Sequence, residues 1–275
     1  MIALISILGT LFAILFFASV RKKRSLIDSV IFGITGWLFT YIIVTALLLV
    51  PDLFSIIGAV SISSVLWGTL FLTACAKGYK TSFDCNIGPY IIPFIACLIV
   101  MPFVLYAPHE YFAMGQDEGV YQTEAIMYIR GKFSKEVDMV ELEVTDDENL
   151  RTAIFDHTGG PTILGTYDYY STNWQTTLLD KPSDTITPHS VTFHGLHTFS
   201  ALLALWGSIF GISNMNSVNC LILLLCVFWI FLICQRLKLG KIGKIATLLI
   251  TSLSPILIWV SKSALTEPGT TLIWL

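Results

Sequence analysis

Long apolar stretches alternate with short polar ones along most of this chain. Uninterrupted apolar runs occupy Ile2–Val20, Ser29–Val50, Leu53–Ala76, Pro89–Ala107, Val218–Gln235 and Ile245–Val260. At ~1.5 Å rise per residue, about 20 apolar residues cross the ~30 Å hydrocarbon core of a bilayer. Each run therefore predicts a membrane-spanning helix. A further run opens near Pro268 and is still apolar at Leu275, which predicts that these residues are a fragment of a longer product. One apolar segment, His197–Phe210, has only about 14 residues between Gly195 and Gly211. It is too short to span and predicts an interfacial or re-entrant helix.

The expected fold is an all-α polytopic membrane protein with six or seven transmembrane helices and a long loop carrying short interfacial helices. It divides into three helices in residues 1–88, a fourth in 89–107, the loop at 108–195, and the interfacial and remaining helices in 196–275.

Composition agrees with this pattern. Of the 275 residues, 55% are hydrophobic and 13% charged, about half the charged share of a soluble domain. The net charge of −3 hides an asymmetry. Between Pro108 and Gly195 lie fifteen of the 19 acidic residues and only five basic ones, leaving the loop at −10. The other basic residues cluster at Arg21–Arg24, at Lys77 and Lys80, and at Arg236–Lys244, with Lys262 alone. The positive-inside rule places those clusters in the cytoplasm and the acidic loop outside. A multi-pass protein of the plasma membrane follows, with its chemistry on the extracytoplasmic face. The segment after Ser261 emerges on that same face. The six cysteines avoid the outer loop and show no metal or disulfide spacing. No phosphate-binding glycine loop is present, and nothing points to nucleic acid.

Residues 114–133 hold the densest candidate chemistry. Val120, Ala125, Ile126 and Ile129 at helical spacing, stopped by Gly131, predict a short amphipathic helix. Asp117, Tyr121 and Glu124 share one side of it. Asp117 reads either as an N-cap or as a general base acting on a hydroxyl. Glu118 is a supporting acid near the helix start. All five histidines fall on the outer side. His194 and His197 read as a metal pair, or as hydrogen-bonding groups that meet a phosphate. Lys181 reads as a solvated lysine or as a cation for a lipid-linked phosphate. Glu267 reads as helix-start chemistry with Pro268 or as an acid placed for function at the mouth of a membrane helix.

Three pieces together resemble the GT-C membrane glycosyltransferases, especially the group of dolichyl-phosphate-mannose–protein mannosyltransferases and lipid A aminoarabinose transferases. Asp117-Glu118-Gly-Val-Tyr121 with Ala125 and Gly131 resembles the acidic motif that opens their first outer loop. Phe193 to Trp206, continuing to Gly211, resembles the loop's return to the membrane. Leu253 to Glu267 resembles the helix that delivers a second acid. The resemblance covers Pro89–Leu275. It implies a polyprenyl- or dolichyl-phosphate sugar donor, a lipid, glycan or protein acceptor, and no nucleotide sugar. It makes Asp117 the base, supported by Glu118, and Glu267 a second active-site acid. Lys181, Tyr121, Glu124, His194 and His197 become substrate-binding residues. Relatives carry Lys-Pro-Pro where this chain has Lys181-Pro182-Ser183. Some members use a divalent metal. The resemblance also implies that residues 1–275 alone are inactive. The alternatives are a transporter or flippase of a lipid-linked sugar, and an inactive membrane scaffold.

Overall fold

The computed structural model describes residues 1–20, 25–51, 53–105, 117–131, 136–138, 166–168, 190–193 and 197–275. Of Asp117, Glu118 and the three strand segments it describes the backbone. The basic cluster Arg21–Arg24 lies outside the described residues.

Ten α-helices carry the fold among the described residues: α1 (Ile2–Val20), α2 (Leu26–Leu49), α3 (Ile56–Ala76), α4 (Ile91–Leu105), α5 (Asp117–Ile129), α6 (His197–Phe210), α7 (Val218–Arg236), α8 (Lys241–Ser252), α9 (Pro255–Ser261) and α10 (Glu267–Trp274). Five helical stretches are long and apolar enough to cross a membrane, six when α8 and α9 count as one bent span. This is a multi-pass integral membrane protein whose exposed apolar side chains meet lipid. Serine caps start two spans: Ser25 accepts from the Ile27 N–H and Ser55 from the Gly58 N–H.

The helices α1, α2 and α3 form one tightly packed group. In lipid, helix contacts rest on small residues and interhelical hydrogen bonds, and both occur here. A Cβ on Gly33 of α2 would lie 2.7 Å from the Ile14 nitrogen and 2.8 Å from its Cα, so the two backbones meet there. Ser64 Oγ donates to the Ile5 carbonyl at 3.0 Å, and Trp67 Nε1 to Thr40 Oγ1 at 3.1 Å. Trp229 Nε1 of α7 donates to Thr35 Oγ1 of α2 at 3.0 Å, tying the second half of the chain to the first.

The bundle has two distinct ends. At one, the α1–α2 and α3–α4 connections meet: the Leu26 N–H donates to the Asp84 carbonyl, and Tyr90 Oη to Asp28 Oδ1 at 2.6 Å. At the other, Phe54, just before α3, stacks edge-on against Tyr128 of α5 at 5.0 Å.

The short apolar segment forms a helix over the expected His197–Phe210. Phe199 to Leu205 are all buried, beneath α5 and against α1, α2 and α3. Tyr41 Oη of α2 donates to the Ala201 carbonyl at 3.0 Å. The helix is thus wedged into the bundle rather than lying on its surface.

Two features depart from the sequence reading. The run Ile245–Val260 is not one helix. It is broken between Ser252 and Pro255, and its halves are bent by 51°. Pro255 supplies no N–H, and Ser254 before it leaves helical geometry, with ψ at 117°. The loop also holds a small antiparallel sheet of β1 (Glu136–Asp138), β2 (Thr166–Asp168) and β3 (Ser190–Phe193), in the order β1-β3-β2. Val137 pairs with Val191, and Tyr167 with Thr192. Strands of three or four residues are too short to show a period, although Val-Thr-Phe in β3 suits a pleated surface.

Candidate functional site

The spacing of α5 explains how a carboxylate comes to be buried there. Val120, Tyr121, Glu124, Ala125 and Tyr128 recur at intervals of three and four and are all buried, because this side packs on α6. Glu124 is only 2% exposed, and a buried charge is stable only with partners. Two converge on Oε1. Tyr128, one turn later, donates its hydroxyl at 2.7 Å, and His197 approaches with Nδ1 at 2.5 Å. His197 is the first residue of α6, so the carboxylate also faces the positive end of that helix. Glu124 Oε2 is buried with no hydrogen-bond partner among the described residues, which concentrates the carboxylate's bonding on one oxygen.

Aromatic rings frame this cluster. Tyr121 meets Phe199 edge to face at 5.3 Å, and Phe54 closes over Tyr128. His197 alone reaches outward, with 28% of its side chain exposed. Among the described residues its Nε2 makes no hydrogen bond, and it is not one of the buried atoms.

Beside the cluster runs a partly open apolar cleft between α2, α6, α7 and α10. Leu38, Phe199, Leu202, Ile222 and Leu272 form part of its wall. Thr198 and Thr266 also line it. His197 and Glu267 are their neighbours in sequence and are not themselves part of the lining.

Glu267 begins α10 and is exposed, with Pro268 in the first turn; Thr266 makes no side-chain cap bond. The preceding turn is bolted in place by Asn219 of α7. Its Nδ2 donates to the carbonyls of Ser263 at 2.7 Å and Leu265 at 2.9 Å.

The structure therefore brings Tyr121, Glu124 and His197 together; Glu267 follows Thr266, which lines the neighbouring cleft. Tyr121 and Glu124 face into the protein, so neither offers its side chain openly to a ligand. Asp117 and Glu118 form the first turn of α5; their side chains, and all of Lys181 and His194, lie outside the described residues. Among the described residues no group of three or more His, Cys, Asp or Glu is placed to hold a metal. Two residues were missed from sequence. Tyr128 was detectable as the i+4 neighbour of Glu124. Asn219 had no signal, since its partners are main-chain carbonyls more than 40 residues away.

Compared with known proteins, the chain matches no family model, no curated protein and no solved structure.

Proposed function

We propose that this protein transfers a sugar from a polyprenyl- or dolichyl-phosphate donor to an acceptor hydroxyl at the extracytoplasmic face of the membrane. The observation that carries the reading is a juxtaposition. A hydrogen-bonding cluster of Glu124, His197 and Tyr128 sits at one end of the bundle, against an apolar cleft whose lining includes Thr198 and Thr266. A ligand suited to it has a polar head and a long apolar tail, which describes a lipid-linked sugar.

In this reading the tail lies in the cleft and the phosphate–sugar bond lies at its mouth. Asp117, at the head of α5, takes the proton from the acceptor hydroxyl as its oxygen attacks the anomeric carbon. The bond from that carbon to the phosphate oxygen breaks, and polyprenyl phosphate leaves. A cation from the loop, Lys181 in the resemblance, offsets the charge on the leaving phosphate. Glu267, heading α10 beside the cleft, is the second acid.

A second reading, transport of a lipid-linked sugar, is favoured by one feature, the break between α8 and α9. Broken helices mark substrate sites in many transporters.

The test is mass spectrometry of lipid-linked sugars and surface glycans in cells carrying the gene, its deletion, or Asp117→Asn. Under the transfer reading, deletion and Asp117→Asn both accumulate one polyprenyl-phosphate sugar and lose one glycan. A deletion phenotype that Asp117→Asn does not share would remove the base from Asp117 and move transport ahead.

A further inference from the structure

The contact between Glu124 and His197 sets which protons His197 presents to its surroundings. An ionised carboxylate only accepts hydrogen bonds. Glu124 Oε1, 2.5 Å from Nδ1, therefore draws the single ring proton of a neutral imidazole to Nδ1. Tyr128 donates to the same oxygen and holds the carboxylate in this orientation. The lone pair is then left on Nε2, on the part of the ring that reaches out of the α5–α6 seam. This is how a carboxylate behind a histidine fixes its tautomer in metal sites and catalytic triads.

We propose that His197 Nε2 accepts a hydrogen bond from a hydroxyl of the acceptor substrate and orients it, with Glu124 acting through His197 as a positioning residue. The proposal rests on the sugar-transfer reading and names the group that His197 recognises. It narrows the expected substrate-binding role of His197 to a hydroxyl of the acceptor. Asp117 and Glu124 stand seven residues apart on one side of α5, about 10 Å along the helix axis. A polyhydroxylated acceptor is long enough to engage both ends of that span, one hydroxyl losing its proton to Asp117 while another is held by His197. Such an acceptor is a glycan or a glycolipid headgroup.

A merely structural role for the pair would join α5 to α6 and nothing more. Two substitutions separate the roles. His197→Asn keeps an N–H donor near the Nδ1 position, so the bond to Glu124 survives while Nε2 is lost. His197→Gln keeps an acceptor near the Nε2 position and gives up the bond to Glu124. Both are compared with the natural protein and with the gene deletion in whole cells. Protein amount is read by immunoblot, and the polyprenyl-phosphate sugar pool and the glycan by mass spectrometry.

The proposal expects His197→Asn to be present at normal amount, with about tenfold less glycan per molecule and a larger donor pool, and His197→Gln to recover part of the transfer. Natural glycan levels in His197→Asn would overturn it and leave His197 as a pin between helices. If His197→Asn does not accumulate as protein, His197→Gln decides: transfer retained per molecule supports the role of Nε2, and transfer abolished in well-expressed protein refutes it. A deletion that leaves both pools unchanged sinks the sugar-transfer reading itself, a result separable from the others.

Discussion

Replacing Asn219 with leucine tests how the Glu267 end of the cleft is held. The amide is fully buried at the head of α7. It donates two short hydrogen bonds to the turn between α9 and α10, at 2.7 and 2.9 Å. The leucine side chain in Asn219→Leu would fill nearly the same volume and strand both carbonyls. An orphaned buried polar group costs about 1–3 kcal/mol, so the loss is about 4 kcal/mol at the middle of the range. One term opposes it. Asn219 Oδ1 is itself buried without a partner among the described residues, and its removal returns about 2 kcal/mol on the same scale. The net destabilisation is about 2 kcal/mol. Asn219→Asp behaves differently: it loses both donors and turns a negative charge toward two carbonyl oxygens, so it is the more damaging of the two.

The assay is unfolding in mixed micelles followed by tryptophan fluorescence, paired with trypsin cleavage after Lys262, which lies in the held turn. When cleavage follows the open population, 2 kcal/mol corresponds to about 30-fold faster cutting. An Asn219→Leu protein within about 0.5 kcal/mol of the natural one would show that the two bonds do not hold the turn. Asn219→Asp proving milder than Asn219→Leu would refute the donor assignment.

Gly33→Ala sets a methyl group against the backbone of Ile14 and is expected to destabilise the protein by about 1–3 kcal/mol. Gly240→Ala, with φ at −62° and open space around it, is the neutral control in the same unfolding assay. Tyr128→Phe removes one of the two donors to Glu124 Oε1. It is expected to cost about 1.5–3 kcal/mol and to speed hydrogen exchange in α5, while leaving the contact with His197 in place.

The spans were legible because a membrane helix writes its length directly into composition. The boundaries of α1 and α6 fall where the apolar runs placed them, at Ile2–Val20 and His197–Phe210. The break at Pro255 was visible as a Leu-Ser-Pro sequence but was outweighed by sixteen continuous residues of apolar character. Hydropathy has no term for a missing N–H. The meeting of Glu124 with His197 was only half legible. Each stood out alone, as an acid on an apolar helix and a histidine at a helix start. Their pairing depends on how α5 crosses α6, which no local pattern encodes. The small sheet was illegible because its strands are shorter than the window in which alternation can be counted.

The position of the charges separates the two readings of the bent span. A transporter that binds its cargo at a helix break needs polar groups at that depth. Around the break here stand Leu253, Ser254, Pro255, Ile256 and Leu257, with no ionisable side chain among them. The charged residues of the helices lie at their ends instead: Asp28 in the first turn of α2, Lys241 and Lys244 at the start of α8, Arg236 in the last turn of α7, and Glu267 at the start of α10. Glu124 is the exception in being buried, and it belongs to α5, which is too short to cross. A kink without ionisable side chains has a simpler use. It turns α9 so that the next turn comes within reach of Asn219, and Glu267 follows that turn at the start of α10. Of these charged residues the proposed chemistry would use Glu124 and Glu267, whereas passage through the middle of the bundle would use neither.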